Sequence, residues 1–379
     1  MKKICFVTTV SLTIRAFVLP VIRYFKEHTD WEITVICHED PQLQELLPEG
    51  VRYIPVRMHR GISLTGVKAM LKMAKIFRKE KFDLIQYATP NAAFYAAIAS
   101  WLSGSKNRKY HLMGFRFLGF SGVRRWIFKQ VEKLACALST DIECVSKSNM
   151  ELGIEMGIFP SEKAKVLHYG SSAGVDLTRF DIQKKARWRK ELREVFTYKD
   201  ADCVFGYAGR ITRDKGINEI LTAFNNVACE NKKLFIVGRM ENEASLDADL
   251  LADSRKNRNI QFCDEVQDIE KYYAMMDVLL LPSYREGFGN IVIEAEAMGV
   301  PVIVTDIPGP TDAMACGKTG LVIPVRDANA LVVAMTQLAE DKDLREQLGW
   351  AGHRFVEERF DQRALCEIIM KDRTQLLNS

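Results

Sequence analysis

Several signatures are missing from this 379-residue sequence, and each absence removes a class of function. No apolar run approaches the ~20 residues that a bilayer span requires. The nine cysteines, at 5, 37, 136, 144, 203, 229, 263, 316 and 366, are odd in number and include no Cys-x-x-Cys pair. That scatter indicates reduced, mostly buried thiols, not a disulfide frame or a zinc site. The six histidines show no ligand spacing, so no protein-bound metal is expected. A P-loop of the form Gly-x-x-x-x-Gly-Lys-Ser/Thr is absent, which argues against an ATPase. After the first apolar run stands Thr8-Thr9-Val10-Ser11, not the Gly-x-Gly-x-x-Gly of a nicotinamide dehydrogenase. The opening Met1-Lys2-Lys3 and Ile4–Ile14 resemble a signal peptide only superficially. The run holds four Ser/Thr residues, meets Arg15 at once and offers no small-residue cleavage site, so it is read as a buried strand.

What is present is the composition of a soluble globular chain, 47% apolar and 27% charged, long enough for two cores. The net charge of +4 hides an asymmetry. Residues 1–150 hold 23 Lys and Arg against 12 Asp and Glu, whereas the remainder holds 30 against 37. A basic N-terminal half points to anionic partners.

Short apolar runs alternate with amphipathic ones. Strands are predicted at 4–9, 31–37, 51–56, 84–87, 109–113, 141–145 and 164–167, with helices such as 65–80 and 123–137 between them. The rhythm breaks from about 176 to 200 and then restarts, with strands at 203–208, 233–237, 260–263, 278–281, 302–304 and 320–323. Alternation of this kind gives right-handed crossovers and parallel sheets. The expected fold class is α/β, with two doubly wound Rossmann-like domains facing a deep cleft. The expected division is 1–183, 184–360 and a final helix, 361–379, packing back on the first domain.

Ligands of such sheets sit beyond the carboxyl ends of the strands. After Leu281 come Pro282, a loop loosened by Gly287 and Gly289, and a helix predicted over 291–298 with Asn290 as its cap and Gly299 as its stop. A fresh helix N-terminus after a glycine loop receives phosphate through backbone N–H groups and the helix dipole. Glu286 and Glu294 flank that turn, and ionised carboxylates bind sugar or ribose hydroxyls strongly. The alternative is a tight bend before a packed helix, with both acids solvated. After Ala208 lies Gly209-Arg210-Ile211-Thr212-Arg213-Asp214-Lys215-Gly216. Arg210 offers a planar fork and Lys215 a mobile point charge, which suit a diphosphate.

These residues carry a family resemblance. The run Gly209-Arg210…Lys215-Gly216, then Glu286-Gly287-Phe288-Gly289-Asn290…Glu294, then Gly299-Val300-Pro301, resembles glycosyltransferase family 4. So do Gly174-Val175-Asp176-Leu177-Thr178-Arg179-Phe180, Gly309-Pro310-x-Asp312 and Gly317-Lys318-Thr319-Gly320. Those are retaining, nucleotide-sugar-dependent enzymes of GT-B fold, of capsule and O-antigen type. The resemblance implies that Arg210 and Lys215 hold the donor diphosphate and Glu286 the donor sugar. It assigns Glu294 to the ribose, and Gly209 and Gly287–Asn290 to backbone contacts around the donor. It implies no cofactor, only a nucleotide diphosphate sugar, expected to be UDP-linked, as co-substrate. One departure stands in the N-terminal half. Met113 occupies the position of a family histidine, and His111, on the same strand face, is the substitute nearest in sequence.

Residues 57–81 and 106–133 each hold eight Lys or Arg and one acid. In the second stretch Phe115, Phe117, Leu118, Phe120, Trp126, Ile127 and Phe128 are interleaved. A basic, apolar-edged surface suits an anionic membrane. The expectation is a cytoplasmic protein, peripheral on the inner face of the membrane, acting on a polyprenyl-diphosphate-linked glycan. No recognition motif for nucleic acid accompanies the basic patch. Rival readings are a GT-B epimerase or phosphorylase, and a non-catalytic nucleotide-sugar-binding subunit.

Overall fold

Apolar runs bounded by turn residues become buried parallel strands, because a strand covered on both faces needs no polar alternation. In the computed structural model, which describes residues 1–58, 61 and 64–378, those runs form two sheets. The first contains β1 (Lys3–Val7), β2 (Glu32–Cys37), β3 (Arg52–Pro55), β4 (Leu84–Ala88), β5 (Asn107–Leu112), β6 (Asp141–Cys144) and β7 (Ala164–Val166). Its seven strands lie in the order β3-β2-β1-β4-β5-β6-β7. The second holds β8 (Cys203–Ala208), β9 (Lys232–Val237), β10 (Ile260–Cys263), β11 (Val278–Leu281), β12 (Val302–Thr305) and β13 (Gly320–Ile323). Its six strands are ordered β10-β9-β8-β11-β12-β13. All the ladder pairs are parallel. The winding therefore reverses between β1 and β4 in one sheet and between β8 and β11 in the other.

The chain divides into two units, Met1–Ala173 joined by Gln362–Ser379, and Gly174–Asp361. The division falls at 173/174, not at 183/184. The turn that begins at Gly174 is tied into the second unit by a bridge from Val175 to Asp361 and by the Arg179–Glu270 ion pair.

Each sheet is coated by helices. Along β1 the pleat sends Ile4 and Phe6 to one face and Cys5 and Val7 to the other, so the strand enters two separate cores. One is covered by helices Leu64–Glu80, Pro90–Leu102 and Gly122–Leu138. The other is closed by helix Leu19–His28 and by the C-terminal helix Gln362–Asn378, which inserts Leu365, Cys366, Ile369 and Leu377. The same helix carries charge into the interior. Lys109, on β5, is fully buried among Asp141, Glu143 and Asp372, and Arg373 reaches Glu143 at 2.6 Å. Removing one partner of such a buried cluster strands its counter-charge, at a cost of about 3–5 kcal/mol.

Candidate active site

The two loops that the sequence singled out leave neighbouring strands at the winding reversal of the second sheet, where ligands of doubly wound sheets gather. They are stitched together. The Tyr284 backbone N–H donates to the Asp214 carbonyl at 2.9 Å, and the Arg285 guanidinium donates to the Asp214 carboxylate at 2.8 Å. Burial opposes ionisation of Asp214, but the Thr212 hydroxyl and Arg285 outweigh it and its carboxyl lies below the usual range. The approach is close enough to require glycine at 216. Its φ is +76°, and a Cβ there would lie 2.2 Å from the Pro282 carbonyl oxygen.

The stitching brings Lys215 to Glu286. The ammonium and carboxylate meet at 2.5 Å, with side chains only 16% and 14% exposed. Arg210, on the same loop as Lys215, donates to Glu241 at 2.8 Å. Its backbone is held by two rungs that prolong β8 alongside β9, with Gly209 N–H donating to Val237 O and Ile211 N–H to Arg239 O, both at 2.9 Å. The Tyr207 hydroxyl also donates to the Arg210 carbonyl at 2.7 Å. Burial works against the charge on Arg210, and Glu241 more than offsets it, so the guanidinium stays firmly protonated.

Beyond Glu286 the loop enters helix Asn290–Ala297. The residue before the helix is Gly289, in left-handed backbone at φ +91°, so Asn290 is the first helical residue and not the cap expected from its type. The cap has no side chain to place over the first turn, an arrangement that suits an anion. Gly299 does end the helix, at φ +62° with Val300 N–H donating back to Ala295 O. Phe288 is buried against Phe360, with ring centroids 5.4 Å apart. Glu294 lies one turn inside the helix and accepts a hydrogen bond from the Tyr273 hydroxyl at 2.9 Å. Burial pushes the Glu294 carboxyl up to about 7, against the pull of Tyr273 and Arg179.

Glu241, Asp214, Arg285 and Tyr273 were not singled out from the sequence. The Asp214–Arg285 pair is foreshadowed by opposite charges on two loops leaving adjacent strands. For Glu241 and Tyr273, nothing short of the strand and helix registers gives a signal.

The first unit departs from expectation at two places. His111 does not stand free to replace the missing family histidine. Opposite it on β6 sits Glu143, which its Nδ1 contacts at 2.9 Å, and Glu143 also belongs to the buried Lys109–Arg373 cluster. The strand face that His111 shares with Lys109 is the one sealed by the C-terminal helix. The aromatic stretch is also split. Phe115 and Phe117 are core, and Phe120 and Phe128 stack at 4.8 Å beneath Arg116. Val123, Trp126 and Ile127 are 74%, 63% and 39% exposed on helix Gly122–Leu138. Arg60, counted in the first basic stretch, lies outside the described residues.

Comparison with known proteins gives the family and the fold. The model of the glycosyl transferases group 1 matches residues 189–355, and that of glycosyl transferase 4-like domains matches residues 3–146. The capsular polysaccharide biosynthesis glycosyltransferase CapM of Staphylococcus aureus is 31% identical over 375 residues, covering 97% of this chain and 95% of that protein. The UDP-Gal:alpha-D-GlcNAc-diphosphoundecaprenol alpha-1,3-galactosyltransferase of Escherichia coli is 25% identical over 323 residues, 83% of this chain and 81% of that protein. Among solved structures, HepE of Anabaena in complex with UDP-glucose superposes with a TM-score of 0.80 at 18% identity, covering 99% of this chain and 100% of that one. That likeness carries the fold, the GT-B class of two Rossmann-like domains. The chain belongs to the group 1 glycosyl transferases, with a glycosyl transferase 4-like N-terminal domain.

Proposed function

We propose that this glycosyltransferase is retaining and moves a hexose or N-acetylhexosamine from a UDP-sugar to a lipid-linked glycan in cell-surface polysaccharide assembly. The observation that carries the donor site is the Lys215–Glu286 contact at the winding reversal, just ahead of a helix start without a side-chain cap. A cation from one loop, meeting a carboxylate and a helix N-terminus from the next, supplies the elements a sugar diphosphate needs. Lys215 and Arg210 meet the diphosphate, and their charge stabilises it as it departs. Glu286 takes a sugar hydroxyl and Glu294 the ribose. Catalysis then rests on positioning and on fixed positive charge meeting developing negative charge, with no metal ion required.

The acceptor class rests on two supports. One relative acts on a diphosphoundecaprenol-linked sugar, as its name states. In this chain, helix Gly122–Leu138 exposes Val123, Trp126 and Ile127 beside Arg124, Arg125 and Lys129. Basic residues near an anionic membrane gain ~1 kcal/mol each. No helix among the described residues is long and apolar enough to cross a membrane, and the reading is one of peripheral attachment at the cytoplasmic face.

A panel of nucleotide sugars, with EDTA present, tests the donor assignment. Slow hydrolysis of a UDP-sugar, lost in Glu286→Ala and Lys215→Ala, is the expected result. Tight nucleotide binding without turnover under any acceptor would make the chain a binding subunit instead. The anomeric configuration of the product, read by NMR, checks retention. Flotation with anionic vesicles at low and high salt checks the membrane surface, and no binding at low salt overturns it.

A further inference from the structure

The segment Gly174–Phe180 resembles a family motif, yet none of its side chains enters the donor site described above. Its contacts lead there through another residue. Asp176 builds a turn by accepting the Thr178 N–H at 2.9 Å and the Thr178 hydroxyl at 2.6 Å. The turn aims Arg179 at helix Ile269–Met275, where its Nε donates to Glu270 at 2.9 Å and its Nη2 to the Gln267 carbonyl at 2.6 Å. Phe180 packs beside Tyr273, with ring centroids 6.2 Å apart, and both are buried. Tyr273, with no exposed surface, then presents its hydroxyl to one oxygen of Glu294 at 2.9 Å. No described residue donates to the other Glu294 oxygen.

We infer that Tyr273 is a positioning residue for the donor nucleotide, braced by the Asp176–Phe180 turn. Its hydroxyl fixes the Glu294 carboxylate so that the second oxygen is left for the ribose hydroxyls. The inference rests on the reading of Glu294 as the ribose-binding residue. A carboxylate with three side-chain torsions otherwise samples several directions, and a buried donor on one oxygen selects one of them. The groups facing Glu294 are Tyr273 and Glu270 from helix Ile269–Met275 and Arg179 from the turn. Tyr273 stabilises the ionised form, so its loss also moves the ionisation of Glu294 upward.

The test compares the nucleoside diphosphate that binds the unaltered protein best, among UDP, ADP and GDP, with its 2′-deoxy counterpart. Calorimetry measures both in the unaltered protein, Tyr273→Phe, Arg179→Gln and Glu294→Gln. The unaltered protein is expected to prefer the ribonucleotide about tenfold, as befits a charge-assisted hydrogen bond. Tyr273→Phe should shrink that preference to about threefold or less, raise KM for the donor more than it lowers kcat, and shift the pH profile of binding upward. Arg179→Gln should do the same more weakly. A purely structural role would weaken both nucleotides equally and leave the preference intact, which overturns the inference. Loss of preference in Glu294→Gln but not in Tyr273→Phe removes the positioning role alone. Undiminished preference in Glu294→Gln, or no binding of any of the three nucleotides, removes the underlying reading as well.

Discussion

The two sheets reverse their winding at equivalent points, yet the loops there are finished in opposite ways. In the first unit the residues after β1 and β4 are hydroxyls that close on one another. Thr9 N–H donates to the Thr89 hydroxyl at 3.1 Å, the two hydroxyls share a hydrogen bond at 2.7 Å, and the Ala92 N–H donates to Thr9 Oγ1 at 3.2 Å. The start of helix Pro90–Leu102 is thus served from within the protein. In the second unit the corresponding loops carry Arg210, Lys215 and Glu286, and helix Asn290–Ala297 begins at a glycine. Topology places the crevice in both sheets. Side chains decide whether it is closed by neutral hydrogen bonds or lined by paired charges, as the proposed donor site requires.

That contrast is broken most strongly at Lys215. Lys215→Ala should lower turnover with the preferred nucleotide sugar by at least about a hundredfold, in line with loss of a preorganised charge at a developing anion. Steady-state assay at saturating donor measures it. The next largest effect is on stability. Gly216→Ala must place a Cβ 2.2 Å from the Pro282 carbonyl in left-handed backbone, and should cost about 2–3 kcal/mol by thermal or urea unfolding. Third comes pH. With the Glu294 carboxyl pushed up to about 7, the group is neutral below that value and accepts hydroxyl donors best above it. Nucleotide affinity should therefore rise about tenfold between pH 6 and pH 8, a dependence that Glu294→Gln removes. The smallest effect belongs to the first unit. Thr9→Val should cost about 1 kcal/mol of stability and leave nucleotide affinity within about twofold. A large loss of affinity there would show that both crevices serve the donor.

How far the sequence carries can be argued from the same loops. The strands were legible because buried parallel strands are continuous apolar runs, as in Val278-Leu279-Leu280-Leu281. Arg210, Lys215 and Glu286 stand out in the sequence because each lies next to a glycine in a loop after a strand, and Glu294 because it follows Glu286 with seven residues between them. Helix Lys147–Glu155 leaves a weak trace in the sequence, since Asn149 and Gly153 supply its buried positions. The cap of helix Asn290–Ala297 was misplaced by one residue because left-handed backbone at Gly289 does the work that a side chain does elsewhere. Glu241 and Tyr273 depend on pairings between segments far apart in sequence, which local pattern does not encode. His111 was legible as a titratable residue, but its commitment to Glu143 depends on which strand lies alongside.

The return of helix Gln362–Asn378 to the first unit has a consequence for biosynthesis. All seven strands of that unit are complete by Val166, but Lys109, Glu143 and the apolar face lined by Ile4 and Phe6 wait for residues 365–377. The second unit, residues 174–361, is made entirely within that interval. On the ribosome the order of completion is thus inverted. The first unit to emerge is the last to be sealed, with its β1 face covered only by helix Leu19–His28 until the last residues arrive. Protease protection of ribosome-bound chains carrying a C-terminal linker long enough to bring residue 378 out of the exit tunnel, compared with chains truncated before residue 362, would reveal the inversion, with the first unit gaining resistance only in the longer chain.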